Sequence, residues 1–134
     1  MYLDTDIVLS QIKKRDWLKD IVRRKLLEID EDLSTSAITI VECQIVLLRE
    51  ESREEAIKVI EKIESLGLRI LPLTKEVLTK STELLSKYPK LNIFDSIHLA
   101  HAILEGERIL STDRIFDEIK EVVRVDPLDY FKQH

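Results

Sequence analysis

The chain has 134 residues, with 21 Lys and Arg against 26 Asp and Glu, a formal charge of −5 and one cysteine, Cys43. That length suffices for one domain, 1–134, with a real core, and a lone cysteine excludes a disulfide framework and predicts a reducing, cytoplasmic setting. The acidic balance argues against a nonspecific grip on a nucleic-acid backbone, and no apolar run is long enough for a signal peptide or a membrane span.

In chain order, MYLD predicts a short first strand, followed by a helical stretch from about Ile7 and a second from about Asp16 to Ile29. The second stretch overlaps the one local basic excess, in which Lys13, Lys14, Arg15, Lys19, Arg23, Arg24 and Lys25 crowd around Trp17. A solvated helix face accounts for such a run before RNA contact does, and Trp17 reads as a packing anchor. LSTSAITIVE is rich in β-branched residues and predicts a second strand, with ECQIVLLREE running on as helix. REEAIKVIEKIESLG carries Ile57, Ile60 and Ile63 at helical spacing beside Ala56 and Val59, with Gly67 as its C-cap. LRILPLT reads as a strand, and TKEVLTKSTELLSKY as a helix opened by Thr74 with Val77, Leu78, Leu84 and Leu85 on its apolar side. NIFDSIHLAHAILEG is a helix closed by Gly106, followed by the strand ERILST, a short helix DRIFDEIK and a last strand around VVRV. Strands separated by helices predict βαβ units and a parallel sheet.

Four acids stand out by position. Asp4 ends MYLD, Glu42 follows AITIV, Asp95 follows NIF and Asp113 follows RILST, so each time an apolar run delivers one carboxylate at or just past its end. In open parallel sheets the ligand crevice lies beyond the carboxyl ends of the strands, where the strand order reverses. Asp4 and Asp113 at strand ends, with Glu42 and Asp95 near the starts of helices facing the same crevice, would converge there. Converging carboxylates repel one another unless a cation is present, and oxygen ligands select Mg²⁺ or Mn²⁺, whereas zinc calls for His or Cys. Carboxylates, divalent metal and water are the ingredients of phosphodiester hydrolysis. Asp95 also has a reading that needs no function, as the N3 partner of Asn92 in a capping box.

MYLDTDIVL, SAITIVECQIVLL, NIFDSIHLAHA and ILSTDRIFDEI, in that order, resemble the PIN-domain family, most closely its VapC-type toxins, over nearly the whole chain. The resemblance implies an α/β fold, a three-layer α/β/α sandwich with a central parallel sheet. It also implies a metal-dependent endoribonuclease using Mg²⁺ or Mn²⁺, whose acidic pocket corresponds to Asp4, Glu42, Asp95 and Asp113. Thr112 matches the family's hydroxyl residue before the last acid, and Asp117 a further acid present in some members. Asp6 stands where the family often has Asn or Ser, and so either adds an acid to the pocket or caps the next helix. RNA as substrate, a cognate antitoxin whose basic side chain enters the pocket, and a homodimer are implied in the same way.

Two alternatives compete. DTD after a first strand and the acid spacing of DRIFD resemble a haloacid-dehalogenase-type phosphatase, with Asp4 as nucleophile and Asp6 as general acid, but that scheme gives Glu42 and Asp95 no role. A non-catalytic module of the same fold, acting in binding or dimerisation, would differ by the absence of metal-dependent cleavage. His98 and His101, three apart on one helix, read as packed or hydrogen-bonded histidines, and Cys43, without a base partner, as a small buried hydrophobe.

Overall fold

A computed structural model describes residues 1–26 and 28–133, including their side chains except those of Arg24, Lys25 and residues 131–133; the expected helix position Leu27 and the basic side chains Arg24 and Lys25 thus lie outside the described set. Five parallel strands, β1 (Tyr2–Leu3), β2 (Ser34–Ser36), β3 (Arg69–Leu71), β4 (Ile109–Leu110) and β5 (Arg124–Val125), form one sheet in the order β3-β2-β1-β4-β5. Helices α1 (Thr5–Ile12), α2 (Lys19–Leu26), α3 (Ala37–Glu50), α4 (Arg53–Ile57), α5 (Val59–Ser65), α6 (Lys75–Lys87), α7 (Ile93–Glu105) and α8 (Pro127–Gln133) connect and flank it, with a 3-10 turn over Arg114–Glu118.

Strand alternation sorts the core into two layers. Leu3 and Leu110 join Ile7, Val8, Cys43, Leu47, Val59 and Ile63 in one apolar cluster, while their neighbours Tyr2 and Ile109 join Leu84, Ile97, Leu99 and Phe116 in another. The sheet therefore lies between two helical layers, the α/β/α sandwich expected from the sequence. Cys43 is fully buried, and burial pushes its thiol up to about 12, consistent with an inert hydrophobe. Among the described residues no helix is long and apolar enough to cross a membrane.

Several expectations need correction. The second strand stops at Ser36, and the β-branched run Ala37–Val41 opens α3 instead. Neighbouring β1 and β3 offer only two and three residues to pair with, so nothing extends β2 past the Ser36–Leu71 pair, and tertiary context overrides β-propensity. In place of hydrophobic packing, β2 is held by hydroxyls: Thr35 Oγ1 donates to the Leu3 carbonyl (3.0 Å) and is hydrogen-bonded to Thr39 Oγ1 (2.8 Å), while buried Ser34 Oγ has no partner among the described residues. The stretch 53–65 is two helices that meet at Lys58. Ala56, Val59 and Ile63 face inward as expected, but Ile57 is 72% and Ile60 46% exposed. Trp17 is 65% exposed and anchors nothing. Helix α8 is an addition to the elements expected from the sequence; Asp126 before Pro127, with its Oδ1 accepting from the Leu128 amide (2.9 Å), is a recognisable helix start.

Candidate active site

The strand order reverses at β1, with β2 and β3 to one side and β4 and β5 to the other, so the crevice lies where β1 and β4 end side by side. Asp4 and Ser111 are the first residues past those ends, and the Asp4 amide donates to the Leu110 carbonyl (3.0 Å). An open cleft of about 440 Å³ is lined there by Asp4, Thr5, Asp6, Leu9, Glu42, Asp95, His98, Thr112 and Asp113. The lining holds five carboxylates and one imidazole, and neither Lys nor Arg.

Four elements deliver the five acids, since Asp4 and Asp6 both belong to the start of α1. Asp4 is the N-cap of α1; its Oδ1 accepts from the Thr5 amide (2.8 Å) and its Oδ2 from Ser111 Oγ (2.7 Å). Glu42 lies in the second turn of α3, where its Oε1 accepts from Thr5 Oγ1 (2.8 Å) and meets His98 Nε2 (2.5 Å). Asp95 completes the capping box of α7: its amide donates to Asn92 Oδ1 (2.8 Å) and its Oδ2 accepts from the Asn92 amide (3.4 Å). The function-free account of Asp95 is therefore correct as far as it goes, and the same carboxylate also lines the cleft. Asp113 caps the 3-10 turn through the Ile115 amide (3.0 Å), and its own amide donates to Ser111 Oγ (3.0 Å). Asp6 accepts from both the Thr112 amide (2.9 Å) and the Thr112 hydroxyl.

Electrostatics in the cleft are strained by like charge. Burial, and then the charge of Asp4, push the Asp6 carboxyl up to about 6. Asp4 is raised chiefly by burial, with Glu42 adding to the rise and His98 opposing it. Asp95 is raised by burial first, and also by Asp113 and Glu42. His98 moves upward although burial opposes its charged form, because the Glu42 hydrogen bond and the charges of Asp4, Glu42 and Asp95 prevail. Partly desolvated carboxylates, with one imidazole and neither Lys nor Arg among the described lining residues, are a donor set that fits a hard divalent cation. As the side chains stand, no group of three or more Asp, Glu, His or Cys among the described residues closes on a single ion.

The structure thus brings six of the seven singled-out residues, Asp4, Glu42, Asp95, Asp113, Thr112 and Asp6, to one cleft. It does not bring Asp117, whose carboxylate is gripped by Arg124 Nε (2.8 Å) and Nη2 (3.1 Å) outside the lining. Sequence reasoning missed Thr5, Ser111 and the cleft position of His98. Thr5 and Ser111 were in view inside DTD and LSTD, but their partners are set by strand order.

The PIN domain model matches residues 1–122. The chain belongs to the PIN-domain family. Among solved structures, VapC20 of Mycobacterium tuberculosis, a sarcin-ricin-loop-cleaving toxin, matches with a TM-score of 0.76 at 15% identity, covering 89% of this chain and 94% of that one. DNA-bound VapBC of Salmonella typhimurium matches with a TM-score of 0.74 at 21% identity (94% and 96% covered), and VapBC2 of Rickettsia felis, bound to a fragment of its promoter, at 0.71 and 18% (92% and 96%). At these identities the likeness is one of fold, the VapC-type PIN fold. No curated protein matches the sequence significantly.

Proposed function

We propose that this PIN-domain protein is a divalent-metal-dependent endoribonuclease and the toxin of a toxin–antitoxin pair. The observation that carries the reading is the cleft itself: five carboxylates gathered where the strand order reverses, with neither Lys nor Arg among the described lining residues. Asp4, Glu42, Asp95 and Asp113 would hold Mg²⁺ or Mn²⁺, with Asp6 and Thr112 at the rim. The ion, when bound, offsets the charge of the phosphate and makes water a better nucleophile at neutral pH. The chain's own contribution is orientation. Ser111 Oγ and the Thr5 amide fix both oxygens of Asp4, Thr5 Oγ1 and His98 fix one oxygen of Glu42, and the Asn92 cap fixes Asp95 at the start of α7. A carboxylate cleft repels bare RNA, so the cation is also what lets a polyanion approach.

The phosphatase alternative loses its basis with membership of the PIN-domain family, and its nucleophile, Asp4, has both oxygens engaged. An antitoxin partner is supported by the solved complexes that share the fold, and a basic side chain from such a partner would suit the cleft. Val41, Ile45 and Leu48 form an apolar stripe along α3, each about half exposed, which supports the expected homodimer. Light scattering on the purified chain should give twice the monomer mass.

The test is cleavage of a panel of structured and single-stranded RNAs with Mg²⁺, Mn²⁺ or EDTA, comparing wild type with Asp95→Asn. Cleavage that needs metal and is lost in the variant is the expected result. RNA left intact by wild type while metal still binds would favour the non-catalytic module.

A further inference from the structure

A histidine that only fills space has no need of two hydrogen bonds, yet His98 has both ring nitrogens engaged and is 2% exposed. Its Nδ1 lies 2.6 Å from the Tyr2 hydroxyl, which lies 2.8 Å from Ser36 Oγ; its Nε2 lies 2.5 Å from Glu42 Oε1. An ionised carboxylate can only accept, so the proton of the last contact sits on Nε2, and in the neutral imidazole Nδ1 is then the acceptor. The Tyr2 hydroxyl then donates to Nδ1 and accepts from Ser36. Every hydrogen along Ser36, Tyr2, His98 and Glu42 points the same way, toward the cleft. Ser36 ends β2 and caps α3, and Glu42 belongs to α3, so the chain of bonds leaves that unit, crosses β1 and α7, and returns to it.

His101 provides the contrast within the same helix. It is equally buried, stacks on Tyr2 with the rings 10° from parallel, and its Nε2 has no hydrogen-bond partner among the described residues. That is what a packed histidine looks like, and His98 is different.

We propose that His98, held by Tyr2, is the positioning residue of the cleft. It engages Glu42 Oε1 together with Thr5, which leaves Oε2, with no hydrogen bond to the described residues, as the oxygen offered to the cation. The inference rests on the metal-dependent reading above and concerns how this chain prepares one ligand. Partners behind a metal's ligands commonly change affinity by about 10–100-fold when removed.

The experiment is calorimetric titration of metal-free protein with Mn²⁺, with thermal unfolding of each variant alongside. His98→Leu should bind Mn²⁺ about tenfold or more weakly. His98→Gln, which restores an N–H donor at similar reach, should recover affinity to within about threefold of wild type. Tyr2→Phe keeps the ring stack but removes the hydroxyl that orients His98, and should fall between them; it carries the test alone if His98→Leu does not fold. Wild-type affinity in His98→Leu, or in Tyr2→Phe where it stands alone, overturns the positioning role, as does His98→Gln falling as far as His98→Leu. Wild type that binds no Mn²⁺ overturns the metal-dependent reading itself, and this role with it.

Discussion

Asp6 is a cleft carboxylate whose charge is unwelcome, since its pKa is pushed up to about 6 by burial and by Asp4. A pKa raised in the folded state means that the folded state binds the proton more tightly, so this group favours folding below about pH 4 and that contribution is lost as pH rises through about 6. Asp6→Asn does not titrate and keeps an oxygen for Thr112. In EDTA it should melt with wild type near pH 4 and above it at pH 8, by of the order of 1–2 kcal/mol, with the gap opening between those values. Ser111 plays the opposite part, satisfying buried Asp4 on one side and the Asp113 amide on the other. Ser111→Ala leaves a buried carboxylate oxygen unpaired and should destabilise the fold by about 1–3 kcal/mol in chemical denaturation. The four principal acids were legible because each follows an apolar run. The hydroxyls and the imidazole that aim them were not, because Thr5 to Glu42, Ser111 to Asp4 and His98 to Glu42 are contacts between elements distant in sequence. Asp117 misled because its partner, Arg124, belongs to β5, and only the fold shows that β5 pairs with β4 beside it.

At the level of elements, α7 separates structure from function in one side chain. Asn92 and Asp95 cap each other, and Asp95 also lines the cleft. Asn92→Ala should lower stability by about 1 kcal/mol, because the Asp95 amide loses its acceptor. Asp95→Asn retains a side-chain oxygen for the Asn92 amide, so its melting temperature should stay within about 2 °C of wild type while cleavage is lost. A variant that lost both together would mean that the carboxylate matters only as a cap. The helices α6 and α7 were readable because their caps are local signals: Thr74 accepts from the Val77 amide, Asn92 pairs with Asp95, and Gly106 takes the left-handed conformation that ends α7. The boundary between β2 and α3 was not readable, because STSAITIV suits a strand locally and only the short strands beside it end the pairing at Ser36.

For the whole molecule, five short parallel strands place their carboxyl ends, and so the acids, on one edge of the sandwich, which concentrates repulsion there. Any ion that binds the folded chain alone should therefore raise its stability, by about 2.7 kcal/mol at a hundred times its Kd. Differential scanning fluorimetry in Mg²⁺ or Mn²⁺ should show a rise of several degrees, absent in Asp4→Asn, and a flat response would argue against the ion. Sheet order was the large feature hidden from sequence, since strand spacing predicts parallel pairing but not which strands are neighbours. The unpartnered hydroxyl of Ser34 has a practical consequence of its own. It occupies a sealed position in β2, two residues before the start of the Ser36 relay, and makes no hydrogen bond among the described residues. Ser34→Ala would remove a desolvated polar atom without opening a cavity larger than that atom, and should make the protein more heat-resistant by up to about 1 kcal/mol. A more robust chain with an untouched cleft would be the better starting material for trapping a complex with the proposed RNA substrate.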